Sequence, residues 1–146
     1  MPPIFSRMEN IGYAADEFLK AGLELMVEPI NHFDMPGFYL NTTGQAMEYI
    51  DQLNRPNLFL QYDIYHAERE GEDHETILSR YFPKIGHVQI ADNPGRNEPG
   101  TGVIKVRHLF ARLEQMAYKG YIGMEYKPAN NTLASLNWVK EYGYRL

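Results

Sequence analysis

Gly86-His87-Val88-Gln89-Ile90-Ala91-Asp92-Asn93-Pro94-Gly95-Arg96-Asn97-Glu98-Pro99-Gly100-Thr101-Gly102 is the stretch from which the fold can be read. It starts as a short apolar strand, residues 85–89, and breaks at once into a loop dense in Asp, Asn, Pro, Gly, Arg and Glu. A loop that only connects two elements has no need of a Gln, an Asp, an Arg and a Glu clustered just past a strand. In α/β proteins, ligands bind at the carboxyl ends of the strands, so polar residues gathered there are candidates for a site.

Working outward, three more short apolar runs end on an oxygen-bearing side chain. Residues 23–27 run into Glu28-Pro29, residues 58–62 end on Asp63, and residues 121–124 end on Glu125. Helical spacing fills the intervals. Residues 8–20 carry Met8, Ile11, Ala14, Ala15, Phe18 and Leu19, with Gly22 as a stop. Thr42 or Thr43 can cap a helix bearing Ala46, Tyr49, Ile50 and Leu53. A third helix holds Ile77, Leu78, Tyr81 and Phe82 before Pro83; a fourth spans 108–118, and a last one runs from Thr132 or Leu133 to Glu141. Residues 1–7 read as a Pro-rich extended lead-in, 30–40 as a loop containing Asn31, His32 and Asp34, and 64–72 as a polar loop.

Strand–helix alternation argues for a parallel sheet covered by helices, in a single domain over residues 1–146. The strand-end residues Glu28, Asp63, Gln89 and Glu125 are separated by 35, 26 and 36 residues. A (β/α)₈ barrel of ~250 residues spends about 31 per unit. The chain therefore reads as a parallel (β/α) half-barrel, the second half of such a barrel.

Composition narrows the function. With 44% hydrophobic and 23% charged residues the chain is an ordinary globular protein, and its net charge of −5 with no Lys/Arg run argues against nucleic acid. It has no cysteine, which removes disulfides and thiolate metal sites. No apolar run approaches the roughly 20 residues of a membrane span, and the N-terminus lacks the apolar centre of a signal peptide. The expectation is a soluble, cytoplasmic protein without a membrane partner.

Parallel neighbours would bring Glu28, Asp63, Gln89 and Glu125 to one edge of the sheet. Three carboxylates so close need protons or a cation, and an all-oxygen set suits Mg²⁺ or Mn²⁺ better than zinc. Glu28 and Glu125, on the outer strands, would flank a chelated hydroxy-carbonyl group and could serve as base and acid. His66 either hydrogen-bonds a substrate oxygen, helps to move a proton, or is a loop histidine satisfied by backbone. Arg96 either clamps a substrate carboxylate or pairs with Glu98 or Asp92. His87, two positions before Gln89, shares its face; His32 and Lys127 are weaker candidates. His74 and His108 read as helix-surface residues, and Trp138 as packing.

Four motifs carry a resemblance. Val27-Glu28-Pro29-Ile30-Asn31-His32-Phe33-Asp34, Gln61-Tyr62-Asp63-Ile64-Tyr65-His66, the 86–102 stretch and Gly123-Met124-Glu125-Tyr126-Lys127-Pro128 resemble, in order, the hydroxypyruvate isomerase family. That family belongs to the xylose-isomerase-like TIM barrels and includes 2-oxo-tetronate isomerases. The resemblance implies strands 5–8 of the barrel. It implies isomerisation between aldehyde and ketone forms of a small hydroxy-keto acid, by metal-assisted proton transfer through an enediol. It places the metal on Glu28, Asp63, Gln89 and Glu125, the acid/base pair on Glu28 and Glu125, and substrate contacts on His66 and Arg96.

Measured against a whole barrel, strands 1–4 are missing, which leaves an open edge on either side of the sheet. The expectations are a homo-oligomer, a complementing N-terminal half-barrel, or a fragment of a longer product. An alternative function is a non-catalytic half-barrel serving as a binding or assembly module. A metal-dependent phosphodiesterase on the same barrel type is disfavoured by Gln89, the single His66 and the acidic charge.

Overall fold

A computed structural model describes residues 4–145, and its sheet has four parallel strands in the order β1 (Leu25–Val27), β2 (Leu58–Asp63), β3 (Ile85–Ile90) and β4 (Ile122–Met124). The helices are α1 (Ile4–Lys20), α2 (Thr43–Leu53), α3 (Ile64–Arg69), α4 (His74–Tyr81), α5 (Val106–Gln115), α6 (Thr132–Ser135) and α7 (Asn137–Glu141), with a 3₁₀ turn at Phe82–Lys84. Successive strands are sheet neighbours, which is half of the cyclic strand order of a (β/α)₈ barrel.

Alternation along the strands separates two environments. Leu58, Leu60 and Tyr62 on β2, with Val88 and Ile90 on β3, point to the helices and are buried. They form one core with Ala46 and Ile50 of α2, Ile77 and Leu78 of α4, Leu109, Phe110 and Leu113 of α5, and Trp138 and Val139 of α7. The intervening residues Phe59, Gln61, His87 and Gln89 are only half-buried. Between β2 and β3 the register shifts: Leu60 pairs with Ile85 and Gln61 with His87, so β3 carries one extra residue there. After this bulge Asp63 lies beside Gln89.

Three expectations change. The extended lead-in over 1–7 does not hold, because α1 is already helical at Ile4; residues 1–3 lie outside the described residues. Prolines ahead of a helix start cost no intrahelical hydrogen bond, so a Pro-rich run does not forbid one. The polar loop over 64–72 contains α3, begun by Asp63 as N-cap, whose side chain accepts from the Tyr65 N–H. The last helix is two, α6 and α7, meeting at Leu136.

The second helix begins as the sequence indicates. Thr42 caps α2 in a full capping box with Gln45, each side chain meeting the other's backbone N–H. Arg55 grips Asp16 of α1 through Nε at 2.6 Å and Nη2 at 3.1 Å.

Candidate active site

Four strand ends bring the site together. Glu28 follows β1 by one residue, Asp63 closes β2, Gln89 is the penultimate residue of β3, and Glu125 follows β4. The Glu125 N–H still donates to the Ile90 carbonyl at 3.1 Å, so the ladder extends to that residue.

Asp63 divides its two oxygens between different tasks. Oδ1 accepts the Tyr65 N–H at 2.8 Å and starts α3. Oδ2 is buried and has no hydrogen-bond partner among the described residues. A buried carboxylate oxygen without a donor is costly unless it meets a cation or a proton. Burial pushes the Asp63 carboxyl up to about 7, the charges of Glu28 and Glu125 add to this, and the Tyr65 N–H and Arg96 oppose it. Glu28 is raised as well, first by burial and then by Glu125, against a hydrogen bond from Gln61 and the charge of Arg96. Oxygens of Glu28 and Asp63 and a ring nitrogen of His66 lie within 4.8 Å of one another.

Gln89 and Glu125 are linked to each other rather than to that trio. Gln61 Nε2 donates to Gln89 Oε1 at 2.5 Å, and Gln89 Nε2 donates to Glu125 Oε2 at 2.6 Å. Arg96 Nη2 donates to the other oxygen of Glu125 at 3.1 Å. Gln61 was not singled out from sequence, yet alternation places it on the face of Asp63, two residues on, and that signal could have found it. His87 shares this face. Its Nε2 lies 2.8 Å from where a Cβ on Gly123 would stand, so a larger residue there would make the ring shift.

The loop after β3 aims Arg96. Asp92, fully buried, accepts the N–H groups of Asn93, Gly100, Gly102 and Ile104, which makes it the organiser of the loop. Glu98 accepts the Ala129 N–H at 2.9 Å. Neither pairs with Arg96, whose carboxylate partners are Glu125 and, at 3.9 Å, Asp34. Arg96 has φ 54°, a left-handed conformation that costs a residue with a Cβ roughly 1–2 kcal/mol. The Lys127 N–H donates to its carbonyl at 2.7 Å and holds it there. Strain of this kind gathers at functional sites.

His66 is 2% exposed and Asn31, in the loop after β1, is 0% exposed. Asn31 Nδ2 lies 2.6 Å from His66 Nδ1, while His66 Nε2 stands 3.7 Å from Asp63 Oδ2 and 3.5 Å from Arg96 Nη2. Burial and then Arg96 lower the His66 pKa to about 4, so the ring is neutral at pH 7. Asp34 lies behind it. Burial would raise that carboxyl, but hydrogen bonds from Tyr65 and Asn31 with the charges of Arg69 and Arg96 bring it below the usual range.

The other candidates lie outside this cluster. His32 pairs with Glu70 at 2.8 Å, and His108 with Glu75 at 2.8 Å on the surface. His74 is not a surface residue: it bridges the Tyr62 hydroxyl, at 2.5 Å, and Glu68, at 2.9 Å. The buried tyrosine beneath α4 needs a partner for its O–H, and His74 supplies it. Lys127 lines a hollow with Arg96 and Glu125 and hydrogen-bonds through its backbone, and Trp138 is core.

A model of the xylose isomerase-like TIM barrel family matches residues 7–142. The chain belongs to that family. Among curated relatives, hydroxypyruvate isomerase of Escherichia coli (strain K12) is 50% identical over 135 residues, covering 92% of this chain and 52% of its own length. A 2-oxo-tetronate isomerase of Cupriavidus necator is 37% identical over 135 residues, with the same coverages of 92% and 52%. The chain spans about half the length of the curated relatives it matches. Of solved structures, an AP endonuclease, family 2, from Brucella melitensis superposes with TM-score 0.88 at 36% identity, covering 92% of this chain and 52% of that one. A 3-keto-D-glucoside 4-epimerase from E. coli gives TM-score 0.82 at 26% identity, again over 92% and 52%. No helix among the described residues of this xylose isomerase-like chain is long and apolar enough to cross a membrane.

Proposed function

We propose that this chain carries the metal-binding and proton-transfer half of an isomerase acting on a small hydroxy-keto acid of the hydroxypyruvate or 2-oxo-tetronate type. The observation that carries the reading is Asp63 Oδ2, buried and unpartnered, with the charges of Glu28 and Glu125 close enough to raise its pKa. An electropositive group fits that oxygen better than water does. Glu28, Asp63, Gln89 and Glu125 would hold a divalent cation, Mg²⁺ or Mn²⁺, since all four offer oxygen. Gln89 Oε1 keeps a second lone pair beyond the one taken by Gln61, so it remains a usable ligand. When bound, the cation would polarise the substrate carbonyl and acidify the neighbouring C–H.

The residues do the rest. Glu28 and Glu125 stand on opposite flanks of the sheet, where one takes a proton from the hydroxymethyl carbon and the other returns a proton to the adjacent carbon. The hydroxyl proton moves to the former carbonyl oxygen, so the sum is an aldehyde–ketone exchange through an enediol. Burial and the charge of Glu125 raise the Glu28 pKa, which makes it a stronger base than an ordinary carboxylate. Arg96, a fixed fork already near two carboxylates, would hold the acid group of the substrate. The relatives named hydroxypyruvate isomerase and 2-oxo-tetronate isomerase support this substrate class.

The test is conversion of hydroxypyruvate to tartronate semialdehyde with Mg²⁺ or Mn²⁺ and with chelator. Metal-dependent turnover that is lost in Glu125→Gln supports the proposal. Metal binding without turnover would replace it by the binding-module reading.

A further inference from the structure

Beyond the groups that touch substrate, the Asn31–His66 contact defines a chemical state of the site. We propose that Asn31 is a positioning residue that locks the His66 ring with its hydrogen on Nε2, so that His66 meets substrate oxygen as a donor and neither takes a proton nor ligates the cation. The step from donor to substrate oxygen rests on the isomerase reading; the state of the ring does not.

The argument begins with the Asn31 amide. Its Oδ1 accepts the Asp34 N–H at 2.9 Å, and its Nδ2 donates to the Asp34 carboxylate at 3.2 Å. A backbone N–H can only donate and an ionised carboxylate can only accept, so these two contacts fix which end of the amide is oxygen. The nitrogen end is therefore the one 2.6 Å from His66 Nδ1. The Asn31 backbone N–H also points at Nδ1, at 3.3 Å. Two donors converge on one ring nitrogen, which must be an acceptor without hydrogen. In the neutral ring the hydrogen then lies on Nε2.

Nε2 has no acceptor within hydrogen-bond reach among the described residues. Arg96 Nη2, 3.5 Å away, is itself only a donor, and Asp63 Oδ2 is at 3.7 Å. Two donors side by side in the mouth of the site call for a shared acceptor, such as a carbonyl or carboxylate oxygen of a small keto acid. A nitrogen that carries hydrogen has no lone pair for a cation, so His66 stands beside the carboxylates without joining the ligand set. The positioning is of the second-layer kind, in which a hydrogen bond on one ring nitrogen decides what the other can do.

Ring nitrogen shifts of the ¹⁵N-labelled chain at neutral pH test this without substrate or turnover. The five histidines are told apart by the signals lost in His66→Gln. The expected pattern is a pyridine-type shift at Nδ1 and a pyrrole-type shift at Nε2. The reverse pattern, or averaged shifts at both nitrogens, overturns the proposal. In Asn31→Asp the side chain still accepts from the Asp34 N–H but cannot donate, and the two shifts should exchange. In Asn31→Ala, which keeps only the backbone donor, they should move toward the average. Shifts unchanged in whichever variant folds overturn the role of Asn31. A chain with the expected pattern that does not turn over hydroxypyruvate keeps this assignment and loses the isomerase reading. A chain that turns it over with hydrogen on Nδ1 does the opposite.

Discussion

The two central strands and the two outer strands of this sheet build different kinds of position. β2 and β3 have six residues each and a neighbour on both sides, whereas β1 and β4 have three residues and one neighbour each. Asp63, at the end of a central strand, has a side chain 1% exposed; Glu125, after an outer strand, has one 49% exposed. The centre holds a charge in a fixed place, and burial makes that charge expensive. The flanks hold carboxylates that water can reach. Asp63 and Gln89, proposed only to hold the cation, end the central strands, whereas Glu28 and Glu125, proposed both to hold it and to move protons, follow the outer ones.

The largest effect should come from the flanks. Glu28→Gln or Glu125→Gln should lower turnover by about 10²–10⁴-fold, with the far-UV spectrum and denaturation midpoint close to those of the parent.

The next effect belongs to the centre. Because the folded-state pKa of Asp63 is raised to about 7, the folded metal-free chain holds a proton that the unfolded chain releases earlier. Stability should be full below the ordinary aspartate pKa of about 4 and decline as pH rises through about 7, by up to about 4 kcal/mol. Asp63→Asn should flatten that slope in urea denaturation, and Mg²⁺ should offset it in the parent.

Packing should show the same contrast more weakly. Leu60→Ala, in the buried centre of β2, should cost about 3 kcal/mol, whereas Val27→Ala on half-buried β1 should cost about 1 kcal/mol. Equal losses at the two positions would sink the comparison. A change as small as that at Val27 is expected outside both places: Thr42→Ala removes the α2 cap and should cost about 1 kcal/mol, with turnover unaltered.

Much of the sheet could be read from the chain because each strand is a short apolar run closed by one polar residue. The helix α3 could not. Six residues, Ile64 to Arg69, make less than two turns, and the residue that starts them, Asp63, reads in the sequence as a strand-end ligand. In the structure Oδ1 accepts the Tyr65 N–H and starts the helix, while Oδ2 is left buried and without a hydrogen-bond partner among the described residues. Arg96 illustrates the other limit. Its partners, Glu125 and Asp34, are distant in sequence, while the nearby carboxylates Asp92 and Glu98 are occupied by backbone N–H groups. Local spacing can propose a pair but cannot show which carboxylates the loop has already used. Asn31 was visible only as one polar residue in a loop, and its meaning depends on a ring 35 residues away.

Proton transfer between adjacent carbons is the central claim, and isomerisation in ²H₂O with Mg²⁺ or Mn²⁺ tests it most directly. Solvent deuterium should appear at the carbon that becomes protonated in tartronate semialdehyde, at a rate that falls in Glu28→Gln and Glu125→Gln in parallel with turnover. Product formed at the parent rate by both variants would contradict the account.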